Sequence, residues 1–137
     1  MLLKVRNDIQ EISRVCSKIK EFCSSKGISE KKCFDILMIV DELATNVIRY
    51  AFKDGQCHVF DIKLEKNNHK VHIQILDNGI PFDPLEKSAP DTVSSLEERA
   101  IGGLGIFLAK QLSEIITYAR VDDKNQLDIL VNLKEEE

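Results

Sequence analysis

Apolar residues in the first part of the chain recur at helical spacing. Between Ile9 and Cys23 they lie three and four positions apart, which predicts an amphipathic helix that Gly27 ends. A second helix is predicted from the N-cap residue Ser29 to about Phe52, with one broad apolar face. Its polar residues fall in a narrow stripe on the opposite side. This stripe contains Asp35, Glu42, Asn46, Arg49 and Lys53.

The rest of the pattern predicts strands. LLKV near the N-terminus is a short strand, and residues 58–65 and 70–77 alternate between apolar and polar positions. The KNNH segment between them favours an antiparallel hairpin. After a helix that begins at GGLG, residues 115–123 and 127–133 supply two more strands. This order predicts an α+β fold, a two-layer sandwich with helices on one face of a mostly antiparallel sheet.

Length and charge limit the possible functions. The 137 residues are enough for a single domain, and a net charge of −4 without a basic stripe argues against a nucleic-acid partner. No apolar run approaches the roughly 20 residues that span a bilayer, and MLLKVRND lacks the apolar stretch of a signal peptide. We therefore expect a cytoplasmic protein that does not bind a membrane. Its cysteines, none in a CxxC pair, are expected to be buried reduced thiols: Cys16, Cys23, Cys33 and Cys57.

Two residues of the polar stripe suggest chemistry. Glu42 and Asn46 are one helical turn apart, so their side chains project side by side. Such a pair is usually a solvated polar face. The functional alternative is a site in which the carboxylate acts as a base and the carboxamide oxygen is a hard ligand for Mg²⁺.

A second candidate is ILDNGIPFDP, which places Asp77 and Gly79 at the end of a predicted strand. A hairpin turn is the ordinary interpretation, but a proline-rich stretch follows and no returning strand. A carboxylate at this place can accept a hydrogen bond from an exocyclic amine, and glycine lets a flat base approach the backbone. These are the requirements of an adenine pocket.

The third candidate is GGLG, which includes Gly103 and Gly105 and precedes a predicted helix. It is either an ordinary loop-to-helix turn or a phosphate site, because backbone N–H groups at a helix N-terminus suit phosphate oxygens. The long polar segment before it, residues 78–102, is interpreted as a functional lid or a disordered loop.

In this order, the three segments resemble the Bergerat-type ATP-binding fold of histidine kinases, gyrase-type ATPases and Hsp90. Over nearly the whole chain, DELATNVIRYAF, LDNGIPFDP and LEERAIGGLGIFLAKQLSE are most similar to segments of the bacterial anti-sigma-factor serine kinases. A histidine kinase needs a dimerising helix pair that bears the phosphoacceptor. His58, His69 and His72 instead lie in or beside predicted strands, which favours the serine kinases.

The resemblance implies ATP and Mg²⁺ as cofactors. Asn46 would hold the Mg²⁺, and Glu42 would take the proton from a serine or threonine hydroxyl of a partner protein. Phosphoryl transfer needs chiefly alignment and charge neutralisation, so a metal, a base and a row of N–H donors suffice.

The resemblance also implies which residues would bind the nucleotide. Asp77 would receive the adenine amine, with Gly79 allowing the base to pack closely. Gly103 and Gly105 would cradle the phosphates. Asp128 stands about where many relatives have a threonine near the adenine. Either a carboxylate there alters nucleotide affinity, or the alignment of this strand with the relatives is shifted by a residue or two.

The implied partners are a sigma factor, a STAS-type antagonist that is phosphorylated, and a PP2C-like phosphatase that reverses the phosphorylation. Some relatives act as homodimers, and Arg14 is a candidate for a partner contact. Two alternatives stay open: a non-catalytic ATP-binding module that sequesters a protein partner, and an α+β domain in which the three segments coincide by chance.

Overall fold

The computed structural model describes residues 1–86 and 104–134. In this part of the chain, five strands form one antiparallel sheet in the order β1-β2-β3-β5-β4, with helices on one face, so the predicted α+β sandwich is confirmed. The strands are β1 (Leu2–Arg6), β2 (Val59–Asn67), β3 (Lys70–Asp77), β4 (Ile115–Val121) and β5 (Lys124–Asn132). The helices are α1 (Glu11–Ser25), α2 (Glu30–Asn46) and α3 (Leu104–Leu112), with a π-helical turn at Val47–Ala51 and a 3₁₀ turn at Pro84–Glu86.

The core lies between the sheet and the helices. Every second residue of β3 is buried, and the same alternation runs along β5, because successive side chains of a strand point to opposite faces. Helix α2 supplies the largest helical share of the core, including Ile36, Ile39 and Leu43, which have no exposed surface. No helix in residues 1–86 and 104–134 is long and apolar enough to cross a bilayer.

The second helix starts at its predicted cap but ends differently from the prediction. The Ser29 hydroxyl accepts a hydrogen bond from the Lys32 N–H at 3.2 Å. At the other end, the α-helix stops at Asn46 and continues as a π-helical turn to Ala51. Single π turns occur frequently at functional sites.

The cysteines are free thiols, as predicted, but not all are buried. Cys23 lies in the core, and its burial raises the pKa of the thiol to about 12. Cys16 and Cys33 are half-buried, whereas Cys57 is exposed. The prediction of burial is therefore wrong for Cys57, which lies in the loop before β2 rather than in the strand.

The histidines lie where the sequence places them. His72 is in β3, His69 is in the turn before it, and His58 immediately precedes β2. His58 stacks on Phe52 with ring centroids 4.3 Å apart, and its Nε2 lies 2.8 Å from a carboxylate oxygen of Asp54. Local packing therefore accounts for His58.

Arg14 takes part in an ionic cluster around the buried Glu11 carboxylate. Its guanidinium donates to the Glu11 carboxylate at 2.9 and 3.1 Å and to the Lys4 carbonyl at 2.7 Å. The Arg6 N–H donates to the same carboxylate at 3.1 Å. Hydrogen bonds from Arg14 and then Arg6 lower the pKa of Glu11 to about 2, against the burial of its side chain, which is 8% exposed. The cluster joins β1 to the start of α1.

We expect Glu11→Gln to lower the free energy of unfolding at pH 7 by about 1–2 kcal/mol, after allowance for the exposure of both arginines. Because the pKa of the carboxyl is lowered in the folded chain, this stabilisation is fully present above the ordinary value of 4.5 and is lost as the pH falls towards 2. Urea unfolding of both proteins at pH 7 and pH 3 measures the difference. Glu21→Gln, at an exposed ion pair on the same helix, is the control. The role of Glu11 is contradicted if Glu11→Gln loses no more free energy of unfolding than Glu21→Gln. It is also contradicted if the loss is the same at pH 3 as at pH 7.

Candidate active site

Helix α2 turns the Glu42 and Asn46 side chains inward. Asn46 is only 4% exposed, and its carboxamide makes no hydrogen bond to any residue that the structure describes. Glu42, one turn earlier, is half-buried. Buried amides normally have hydrogen-bond partners. The two residues are therefore not a solvated polar stripe, and Asn46 has the environment of a ligand-binding residue.

The Glu42 carboxylate lies against the first turn of α3. A Cβ atom added to Gly105 would come within 1.7 Å of the Glu42 Cδ and within 2.0 and 2.1 Å of its two oxygens. Two of the segments singled out in the sequence, the Glu42–Asn46 pair and the GGLG segment, therefore meet at this point.

Asp77 lies at the end of β3 and is 5% exposed. Its Oδ1 accepts hydrogen bonds from the Gly79 N–H and the Asn125 Nδ2, both at 2.9 Å. Burial raises the pKa of this carboxyl, against the opposing effects of Asn125, Gly79 and the Arg120 charge. Within the described residues Oδ2 has no hydrogen-bond donor, so it is the oxygen available to a ligand.

Asn125 fixes the loop that follows Asp77, although no sequence pattern singled it out. It is 4% exposed and lies opposite Asp77 in the register of β3 and β5. Besides its bond to Asp77, its Nδ2 donates to the Ile80 carbonyl at 2.7 Å, and its Oδ1 accepts from the Phe82 N–H at 3.2 Å. One side chain thus orients the carboxylate and holds the backbone of the loop.

Strand β4 reinforces this arrangement. The Tyr118 hydroxyl donates to the Asn125 Oδ1 at 2.5 Å, and the Arg120 guanidinium donates to the same oxygen at 3.1 Å. Arg120 also donates to the Gly79 carbonyl at 2.8 Å. The β4–β5 hairpin therefore holds one side of the loop from Asp77 to Phe82.

The Asp122-Asp123 pair is a turn signal that would have revealed Asn125, but the predicted strand 115–123 extended over it. Asp122 and Asp123 both have positive φ, at 51° and 60°, as the central residues of a type I′ hairpin turn require. Strand β5 consequently begins at Lys124, three residues before the predicted Leu127. Extending the alternation of buried residues back from Leu127 places Asn125 on the core side.

Gly79 is held against the π-helical turn. A Cβ atom at this position would lie 2.3 Å from the Ala51 carbonyl oxygen and 2.7 Å from the Ala51 carbon atoms. The next N–H, of Ile80, donates to that carbonyl at 2.8 Å. The close approach of two backbone segments is thus sufficient reason for a glycine here. Its predicted contact with a flat base stays a prediction.

Asp128 does not lie beside Asp77, where the adenine site was predicted. Asp128 pairs with Gln74 on the face of the sheet away from the helices, where it accepts hydrogen bonds from His72, Gln74 and Gln126. Burial raises the pKa of Asp128, but these three hydrogen bonds outweigh it and lower the pKa overall. The residue that contacts Asp77 is Asn125, three positions earlier.

The described residues contain no group of three or more His, Cys, Asp or Glu side chains that could hold a metal ion alone. Mg²⁺ commonly binds through one or two protein oxygens together with phosphate and water. The buried Asn46 carboxamide suits that kind of site. Gly103 and residues 87–102 of the predicted lid lie outside the described residues.

The sequence profile of the histidine kinase-like ATPase domain matches residues 5–131. The chain belongs to the histidine kinase-like ATPase family. This ATPase domain is 28% identical to the serine/threonine-protein kinase BtrW of Bordetella bronchiseptica, over 70% of this chain and 68% of the relative. It is 30% identical to the serine-protein kinase RsbW of Listeria monocytogenes, over 66% of this chain and 60% of the relative.

A further relative is the anti-sigma F factor of Anoxybacillus flavithermus, 22% identical over 72% of this chain and 68% of the relative. The matched segments thus span about two thirds of the length of these relatives. Among solved structures, the histidine kinase domain of the Erythrobacter litoralis blue-light activated histidine kinase EL346 has a TM-score of 0.54 at 18% identity, over 91% of this chain and 60% of that one. The predicted histidine-kinase-like ATPase fold is therefore confirmed, and the relatives carry the names of the predicted kinase family.

The environment of Asp77 predicts the pH dependence of nucleotide binding by the ATPase domain. If Asp77 receives the adenine amine, as predicted from the sequence, the amine donates to the ionised carboxylate. MgATP affinity should then fall as the pH drops through the pKa of Asp77, which burial holds above its ordinary 3.8. Asn125→Ala removes a hydrogen bond that lowers this pKa. It should therefore shift the loss of affinity to still higher pH.

Calorimetric titration of MgATP from pH 7 down to pH 4 measures the shift. Gln126→Ala, on the neighbouring residue of the opposite sheet face, is the control and should leave the acid limit unchanged. An Asn125→Ala protein whose affinity is lower at every pH by the same factor would show that Asn125 does not act through Asp77.

Proposed function

We propose that this chain is an ATP-dependent protein serine/threonine kinase and anti-sigma factor that phosphorylates a STAS-type antagonist in a partner-switching circuit. The family membership supports ATP as the phosphoryl donor. The names of the relatives, two serine or serine/threonine kinases and one anti-sigma factor, support the kinase activity and the regulatory role.

The observation that carries the proposal is the arrangement along α2. Glu42 lies against Gly105, and the inward-facing Asn46 follows one turn later. Ala51, at the end of the π turn, contacts Gly79. The nine residue steps from Glu42 to Ala51 correspond to roughly 13 Å of helix, comparable with the length of an extended nucleoside triphosphate. One helix and its π turn thus provide a continuous wall between the glycine segment and the proposed adenine pocket.

Each residue has a chemical role in this proposal. The Oδ2 of Asp77 accepts from the exocyclic amine of adenine, while Asn125 and the Gly79 N–H keep Oδ1 occupied. Glu42 takes the proton from the acceptor hydroxyl as the phosphoryl group is transferred. Gly103 and Gly105 contribute backbone N–H groups for phosphate oxygens.

The Asn46 carboxamide oxygen would ligate Mg²⁺, which neutralises phosphate charge when it is bound. Nothing in the roles of Glu42 and Asp77 depends on a second protein ligand for the ion. The proposal therefore requires only Asn46 as a direct metal contact from this chain.

The proposed circuit has two further partners besides the antagonist. A sigma factor would be sequestered in one state, and a PP2C-like phosphatase would restore the unphosphorylated antagonist in the other. A homodimer and a cytoplasmic location belong to the same proposal. Arg14 remains a candidate partner contact, with the qualification that its guanidinium already links Glu11 to β1.

The test is transfer of label from [γ-³²P]ATP to purified STAS-domain proteins from the genome that encodes this chain. We expect one of them to be labelled on a serine or threonine, with a stoichiometry that approaches one phosphate per chain. If the protein binds MgATP but labels none of these proteins, the result would instead support the function of a non-catalytic ATP-binding module that sequesters a partner. Chain that binds no adenine nucleotide would refute both functions.

A further inference from the structure

The glycine at position 105 has no evident backbone reason. The glycines with positive φ in the described residues are Gly27 and Gly55, so Gly105 does not need the conformational freedom that glycine provides. It lies in the first turn of α3, where alanine is the better helix former. Some other property of glycine must therefore matter at this position.

That property is the space beside its Cα atom, which the Glu42 carboxylate fills. A methyl group there would overlap all three atoms of the carboxylate, at 1.7, 2.0 and 2.1 Å. Helix α3 cannot move away easily, because Ile106 and Ala109 in the same stretch are buried at 2% and 1% exposure. The carboxylate ends a flexible side chain, so it is the part that would move.

We propose that Gly105 is a positioning residue for Glu42. Because glycine has no side chain, the carboxylate of the proposed base can lie against the start of α3. The catalytic consequence rests on the kinase activity proposed above, whereas the contact itself does not. A phosphate cradle made of backbone N–H groups does not explain the glycine, because alanine carries the same N–H.

The contact can be tested without nucleotide or acceptor by a double-mutant cycle on unfolding. In the Glu42→Ala background the space beside position 105 is free, so Gly105→Ala should raise the urea midpoint through its helix propensity. In the wild-type background it should raise the midpoint less or lower it. Phe107→Ala, at an exposed position of the same helix, should shift the midpoint equally in both backgrounds. If Gly105→Ala shifts the urea midpoint equally in the two backgrounds, the proposed contact between Gly105 and Glu42 is overturned.

The effect on the base is tested with the STAS-domain protein that accepts label in the assay above. Gly105→Ala should slow phosphotransfer by at least about tenfold, because a displaced base loses much of its effect, while MgATP affinity stays within about threefold. Glu42→Asp shortens the side chain by one methylene, so adding Gly105→Ala to that variant should cause no further loss.

Two results would contradict a positioning role. One is a loss of phosphotransfer by the same factor in the wild-type and Glu42→Asp backgrounds. The other is a large loss of MgATP affinity in both backgrounds, which would show that the space beside Gly105 serves the nucleotide rather than the Glu42 carboxylate. If no acceptor is labelled by wild-type chain, the kinase proposal fails, and the unfolding cycle still decides whether Gly105 seats Glu42.

Discussion

Replacing Glu42 by glutamine is expected to reduce the rate of phosphotransfer to the acceptor protein by roughly 10²- to 10⁴-fold, the usual contribution of a general base. Glutamine has nearly the same shape as glutamate, so it can occupy the space beside Gly105 without a steric change. It cannot take the proton of the acceptor hydroxyl. Single-turnover transfer of ³²P, with the chain in excess over the acceptor, measures the chemical step directly.

The same Glu42→Gln protein should bind MgATP with an affinity within about threefold of wild type, because the proposed base would contact the acceptor and not the adenine. Asp41→Asn, the adjacent exposed carboxylate of α2, is the matched control and should leave both quantities unchanged. Phosphotransfer by Glu42→Gln at the wild-type rate would eliminate Glu42 as the base. Loss of nucleotide binding would instead assign it to the nucleotide site.

Replacing Asp77 by asparagine is expected to weaken MgATP binding by roughly 30- to 150-fold, or about 2–3 kcal/mol. The asparagine oxygen can keep the two bonds from the Gly79 N–H and the Asn125 Nδ2. Its amide nitrogen then faces the ligand, so a donor meets the donor of the exocyclic amine. Calorimetric titration of MgATP into both proteins measures the change.

This substitution should not destabilise the chain. Burial raises the pKa of Asp77, which means that the ionised carboxylate costs free energy in the folded state. Neutral asparagine removes that cost, so the urea midpoint should be equal or higher. Asp128→Asn is the matched control, because Asp128 lies on the same sheet but on its opposite face, and its MgATP affinity should equal that of wild type. Equal affinity for wild type and Asp77→Asn would show that the adenine pocket lies elsewhere.

The three candidate segments were recognisable in the sequence because each depends on local geometry. The one-turn spacing of Glu42 and Asn46 is a property of any α-helix. The position of Asp77 at a strand end follows from the alternation of the residues before it. Segments of this kind, in this order, were enough to indicate the family and the fold, both of which are confirmed.

The errors at the candidate site came from pairing between distant parts of the chain. Asp128 was assigned to the pocket from an approximate position in the last strand, and an error of three residues also moves a side chain to the other face of the sheet. Asn125 could be recognised as the partner of Asp77 only from the register of β3 and β5. A register that joins residues 48 positions apart depends on the turn geometry and on the packing of the whole sheet.

The sequence alone therefore determined the types and order of the elements and which helix and which strand end carry Glu42, Asn46 and Asp77. These features follow from periodicity and local backbone preference, which act over a few residues. Only the tertiary structure decided that Asn125 orients Asp77, that Gly79 adjoins Ala51, and that the Glu42 carboxylate fills the space beside Gly105. Such contacts depend on close packing between elements, because whether a single methyl group fits is set by atoms that the chain brings together only when it folds.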